Sequence, residues 1–444
     1  MALAGGLLLV MALASAYLRN LPISTSAIYL AIGLAIGPLG LDWIHIELGE
    51  EVPWFERLTE VSVIVALFVG GLKLRLPLRD PAWSAAYRLG GPIMLASIIG
   101  VTICAKVLLG VDIATALLIG AVLAPTDPVL AGTVKVNSAA DHDRMRYGLS
   151  GEAGLNDGMA FPFVIFALLW AEHGGAGEWI GSWGLHRLLW AVPAGLALGF
   201  VLGRGVGRLA IWLRSHQQDT GAPSDFLALA LIALSYTGGE AIGAWGFLST
   251  FAAGVGLRHA ELHVTRISPS QAQQQSRSSE APEPHPPAEE LVGASVQEEE
   301  LKEPAVAAGV LVAETISFGD TAERLLEVML VVLVGVLLAS HWDPRAVPLA
   351  LLLFLFIRPV ATQLLLLGTP TTRRQRWLMG WFGIRGIGSL YYLSYAITHG
   401  LAPSVAADVA GLTISVVALS ILIHGMTAQP LLAWLEKSEG ESSS

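Results

Sequence analysis

The chain reads as an all-α polytopic membrane protein: about thirteen transmembrane helices in an inverted repeat, with two broken helices crossing near its centre. Three observations lead there. Of its 444 residues 54% are hydrophobic and only 14% charged, against about 25% charged in an average soluble domain. Apolar stretches of about 20 residues, the length that spans a bilayer, recur along nearly the whole chain. Two of these stretches are interrupted at mid-depth, one by prolines in GAVLAPTDPVLAG and one by glycines in FGIRGIGSL. A proline inside a helix removes a donor and clashes with the preceding turn. The backbone groups freed by such a break are tolerated at membrane depth only where they line a cavity enclosed by protein or reached by water.

The apolar segments begin near Leu3, Ala27, Leu58, Leu89, Ile113, Tyr147, Arg187, Asp225, Ala241, Thr321, Ala346, Trp377 and Val405. The interrupted ones are the fifth and the twelfth, and an odd offset inverts orientation. Spans one to six then correspond to eight to thirteen, with the seventh as connector, an arrangement met in secondary transporters. This predicts spans one to nine over residues 1–257, an acidic and largely disordered loop over 258–320, spans ten to thirteen over 321–435 and a tail over 436–444. The first segment lacks a basic start and is read as a membrane helix rather than a signal peptide. Gly33, Gly37 and Gly40 in and after the second span would let a neighbouring helix approach closely.

Charge bounds the function. The formal net charge is -10, but residues 268–320 hold ten acids and two bases, which leaves no basic footprint for nucleic acid. The Gln, Ser, Pro and Glu of 268–304 offer little to bury. Cys104 is the single cysteine, so an intramolecular disulfide or a cysteine metal cluster is excluded. Lys and Arg near the span ends place the N-terminus outside and the C-terminus, with the acidic loop, in the cytoplasm.

The deep polar residues carry the chemistry. Asp127 lies between Pro125 and Pro128 past the middle of span five, and Asp157 lies about ten residues into span six, so both sit near the midplane. A carboxylate stripped of water there must take up a proton or find a cation. An oxygen-only site suits sodium, lithium and protons, which then compete for it. On a helix Glu152 and Asn156 share a face, while Asp157 is turned by about 100 degrees from Asn156. Glu152 therefore addresses a different neighbour, and Arg385 in the second break needs an acid partner; a structural Glu152–Arg385 pair is expected. Arg358, before Pro359 in span eleven, raises the same demand as a support of the core, with broken-helix carbonyls or Glu327 as candidate partners. No GxxxxGK[ST], GxSxG or HExxH run occurs, so neither ATP use nor hydrolysis is indicated. The expectation is a non-enzyme without cofactor. A cation channel would need a run of filter carbonyls or an acidic ring, and neither is evident.

The motifs PTDPV at 125–129, GEAGLND at 151–157 and GIRGIGSL at 383–390 together resemble the monovalent cation:proton antiporters of the NhaP type, bacterial relatives of animal sodium/proton exchangers. The resemblance covers the whole membrane region. It implies a homodimer in which a core of spans four to six, at about 89–171, and eleven to thirteen moves against a dimerisation panel. It further implies ion binding and proton coupling at Asp127 and Asp157, with contributions from the Thr126 backbone and Asn156, and a stabilising Glu152–Arg385 pair. The expected activity is exchange of sodium or lithium for protons across the inner (plasma) membrane, serving pH homeostasis. It is expected to be electroneutral because Asn156 does not titrate. The family often carries a Ser after the motif glutamate where this chain has Ala153, which keeps potassium/proton exchange open. Lys73 in FVGGLKLRL stands where relatives often have an uncharged or acidic residue.

Overall fold

The structure is a computed structural model that describes residues 5–6, 24–46, 52–76, 79–127, 144–216, 223–267, 288, 291–292 and 302–443. The first span expected from Leu3, the continuation of the fifth beyond Asp127 and nearly all of 268–301 lie outside the described residues. Among the described residues every regular element is helical. In chain order they are α1 Thr25–Ile36, α2 Val52–Leu72, α3 Trp83–Leu109, α4 Ile113–Leu123, α5 Arg144–His173, α6 Trp179–His216 and α7 Ser224–Ala241. There follow α8 Gly246–Ile267, α9 Pro304–His341, α10 Ala346–Leu365, α11 Arg373–Trp381, α12 Ile387–Thr398 and α13 Pro403–Ser443.

Five of these, α3, α5, α6, α10 and α13, are long and apolar enough to cross a membrane. On α3 the exposed residues Leu95, Ile99, Ile103 and Val107 recur at four-residue spacing and form one apolar stripe, a surface suited to lipid rather than water.

Between lipid-solvated helices close packing replaces the hydrophobic effect, so small residues decide which helices meet. On α6 the buried face is Gly195, Gly199, Gly203 and Gly207, each four residues from the next. An added Cβ at Gly199 or Gly203 would overlap the carbonyl of Ser249 or Ala253 on α8; the two helices run parallel with their backbones in contact. Gly33 of α1 lies in the same way against Val332 and Gly335 of α9, and Gly37 lies against Val336. At Gly40 the nearest atoms to an added Cβ are instead those of Ala35, earlier in the same segment.

This packing makes a direct prediction. Gly199→Ala forces α6 from α8, a strain of about 1–3 kcal/mol or more, and lowers the thermal midpoint of the purified protein. Gly205→Ala, six residues along with nothing within 4 Å of its added Cβ, leaves the midpoint unchanged or slightly raised. Equal behaviour of the two variants would mean that the α6–α8 contact is not made.

The structure redraws the expected loop of 258–320 at both ends. Residues 258–267 continue α8, where Arg258 and Glu261 are buried 3.5 Å apart. Residues 304–320 form the first half of α9, which starts at Pro304 rather than Thr321. Ala308, Leu311, Val312, Ala313 and Ile316 there join a buried cluster with α2, α7 and α8. Averaging charge over 268–320 hid this apolar run behind the acids before it. The tail expected over 436–444 likewise continues α13 to Ser443.

Two core helices carry matching irregularities. α3 contains a wide π turn at Leu89–Ile93 with Pro92 inside it, and α10 contains one at Leu353–Ile357 just before Pro359. These are spans four and eleven, partners in the repeat. Such turns arise where proline interrupts the helical ladder and recur at functional positions.

Candidate functional site

The site is built where the first broken segment, as far as Asp127, meets the second. α4 is capped by Asp112, whose Oδ1 accepts from the N–H groups of Ala114 at 2.9 Å and Thr115 at 3.1 Å. The helix ends at Leu123, and Ala124 to Asp127 run on as buried, non-helical chain. The second break separates α11 from α12, with Gly386 at the N-cap of α12. Asp127 joins the segments through both its backbone and its side chain: its N–H donates to the Ile384 carbonyl at 2.8 Å, and the Ile387 N–H donates to its Oδ2. Asp127 thus caps the N-terminus of α12, where free N–H groups and the positive end of the helix dipole favour an anion.

Asp157 arrives at the same helix end from α5. It is 0% exposed, and Asp127 is 2% exposed. An added Cβ at Gly388 would sit 2.9 Å from Asp157 Oδ1, so the absent side chain is what admits the carboxylate to the first turn of α12. Both carboxylates therefore converge on the consecutive residues Ile387 and Gly388. Asn156 braces the first break: its Nδ2 donates to Thr126 Oγ1 at 2.6 Å and meets the Thr126 carbonyl at 3.5 Å. Thr126 is thus engaged through its side chain as well as its backbone. The Tyr392 hydroxyl donates to the backbone carbonyl of Asp157 at 2.6 Å.

The arginines are distributed differently from expectation. Glu152 pairs with Arg358, not Arg385: Arg358 Nη1 and Nη2 donate to Glu152 Oε1 and Oε2 at 2.7 and 2.8 Å, a fork matched to a carboxylate. Arg358 also donates to the Met379 carbonyl at 3.1 Å, which answers its demand with a carbonyl next to the second break. Gly383 makes this possible, since an added Cβ there would collide with the Arg358 guanidinium. Arg385, in the break itself, folds its Nη1 back onto the Gly383 carbonyl at 2.8 Å, and its backbone N–H donates to Ser420 Oγ of α13 at 2.8 Å. Arg358 and Arg385 are both buried and both need a counter-charge, and the sequence reading assigns Glu152 to the wrong one. Glu152 lies within electrostatic reach of Arg385 all the same, and Arg358 is its like-charged neighbour.

Glu327 is not a partner of Arg358 either. It accepts from Ser26 Oγ of α1 at 2.6 Å and belongs to the α1–α9 contact. Tyr392, Ser420 and the backbone of Ile384 and Ile387 were not singled out from sequence. The glycines of GIRGIGSL were the available signal, because Gly383 and Gly388 mark the places where Arg358 and Asp157 come closest.

Comparison with known proteins accords with this geometry. The sequence model of a family described as "Sodium/hydrogen exchanger, transmembrane" matches residues 6–270 and 293–434. The chain is 29% identical over 262 residues to Na(+)/H(+) antiporter 2 of Zygosaccharomyces rouxii, covering 56% of this chain and 32% of that protein. It is 28% identical over 256 residues to a Na(+)/H(+) antiporter of Saccharomyces cerevisiae, covering 55% and 26%. The alignments thus span about a third or less of these curated relatives. In fold the chain is similar to the sodium proton antiporter MjNhaP1 of Methanocaldococcus jannaschii, with a TM-score of 0.68 at 17% identity over 96% of each chain. A second structure of that antiporter gives 0.65 over 97% and 96%. With both halves matched and the two breaks meeting at Asp127, the chain is a multi-pass membrane protein that belongs to the sodium/hydrogen exchanger family and has the NhaP-type antiporter fold.

Proposed function

We propose that the chain exchanges sodium or lithium for protons across the inner (plasma) membrane, one for one, and so serves pH homeostasis. The observation that carries this reading is the convergence of two buried carboxylates, Asp127 and Asp157, on the N-terminus of α12. Oxygen ligands at such a place hold a hard monovalent cation or a proton in turn, with no cofactor and no chemical conversion. Asp157 is the exchangeable acid and Asp127 the fixed one: the Ile387 N–H and the positive end of α12 suit an ionised carboxylate at 127. Asn156 orders Thr126 and carries no proton. Access alternates as the core of α3–α5 and α10–α13 shifts against the panel formed by the remaining helices, in a homodimer with its N-terminus outside and its C-terminus in the cytoplasm.

Potassium/proton exchange is the second reading, favoured by Ala153, which brings no hydroxyl to the turn between Glu152 and Asp157. One experiment addresses both. Purified protein in proteoliposomes should show proton flux, read by a pH dye, when sodium or lithium is added, and less with potassium. The rate should be indifferent to imposed potentials of either sign, although one net charge moved would feel about 2.3 kcal/mol per 100 mV. Rates that follow the voltage would make Asp127 a second proton carrier. Flux with potassium above that with sodium would select the second reading.

A further inference from the structure

Tyr392 is buried at 0% exposure in the second turn of α12, and its hydroxyl donates at 2.6 Å to the backbone carbonyl of the residue that closes the site, Asp157. Gly388 stands four residues earlier and so on the same face of α12. The carboxylate of Asp157 rests against Gly388 while its carbonyl is held by Tyr392. One helix face therefore grips Asp157 at both ends. A carbonyl within α5 has a second lone pair to give, so this bond is made without sacrificing the helix.

The ring of Tyr392 is itself fixed. Phe161, four residues after Asp157 on α5, stacks on it with centroids 5.8 Å apart and planes at 28°. Phe161 in turn meets Trp245, just before α8, and Phe247 of α8 edge-on, at 5.2 and 5.5 Å. The hydroxyl is thus delivered from a packed aromatic group rather than from a mobile side chain. Groups that orient a ligand without touching the ion commonly change affinity by about 10- to 100-fold when removed.

We propose that Tyr392 is a positioning residue for cation binding: its hydroxyl holds the Asp157 turn of α5 in register with the first turn of α12. The proposal rests on the exchange reading above and deepens it. Without the hydroxyl the Asp157 turn is free to shift relative to Gly388. The carboxylate then meets the cation less well, whereas the chemistry of proton uptake and the movement of the core are untouched.

The test compares wild type, Tyr392→Phe, Tyr391→Phe and Phe161→Leu in proteoliposomes, with initial rates measured against sodium and lithium concentration. Tyr392→Phe is expected to raise KM by about tenfold, with the maximal rate kept and the lithium-to-sodium KM ratio altered. Tyr391→Phe removes a neighbouring hydroxyl that makes no such bond and should leave KM unchanged. Phe161→Leu keeps the Tyr392 hydroxyl but loosens its ring, and should raise KM in the same direction. Should Tyr392→Phe fail to fold, that variant decides. An unchanged KM in the deciding variant, equal effects at 391 and 392, or a fall in maximal rate at constant KM would overturn the proposal. A wild type without sodium- or lithium-driven flux would instead remove the exchange reading, and the proposal with it.

Discussion

Asp157→Asn abolishes cation-driven proton flux, down to the leak of empty vesicles, and leaves a folded protein. An amide has nearly the shape of the carboxylate, so the close approach to Gly388 is preserved. The Tyr392 bond is preserved too, because it is made to the backbone carbonyl rather than to the side chain. What is lost is the ability to alternate between a proton and a cation, since an amide neither titrates in the accessible range nor neutralises a positive ion. Removing a charge from a site with 0% exposure also removes a desolvation cost, so the thermal midpoint should not fall. The measurement pairs dye-detected flux in proteoliposomes with a melting curve of the same preparation. Wild-type flux would take Asp157 out of the mechanism, and an unfolded variant would give the residue a structural role instead.

Most of the fold was legible because a bilayer restricts what an apolar chain can do. Twenty apolar residues must be helical, and Pro125 with Gly383 and Gly386 must interrupt the helices that hold them. The odd offset between the breaks then gave the repeat. Legibility failed where averages replaced positions: Ala305 to Ala313 are apolar and, Val310 apart, buried in α9, but the acids of 280–303 masked them. At the site, depth alone identified Asp127 and Asp157, because burying either is costly without a purpose. Depth could not rank Arg358 against Arg385, since both are buried and both need a counter-charge. That choice is made by three-dimensional detail that no spacing rule carries, namely the wide turn at Leu353–Ile357 that precedes Arg358 and the space left by Gly383. Backbone ligands such as the Ile387 N–H are invisible in a sequence for the same reason.

The corrected pairing has an unequal consequence for its two members. Glu152→Ala strands Arg358 without its bidentate partner, beside Arg385, which is itself fully buried and makes no hydrogen bond through Nε or Nη2 among the described residues. Breaking a buried pair from one side costs about 3–5 kcal/mol, and here the single loss exposes two guanidinium groups to one another. Arg358→Ala leaves Glu152 with Arg385 still within electrostatic reach, so its cost should fall below that of Glu152→Ala. Arg385→Ala removes a contact to the Gly383 carbonyl and a like charge near Arg358, and should be the mildest of the three. Thermal midpoints of the single and double variants in detergent give the couplings directly. Glu152 and Arg358 should couple strongly, with the double variant little worse than Glu152→Ala alone. Glu152 and Arg385 should be closer to additive. If the coupling instead resides in Glu152 and Arg385, the fork between α5 and α10 is not the one that holds the core together, and the pairing expected from the sequence is restored.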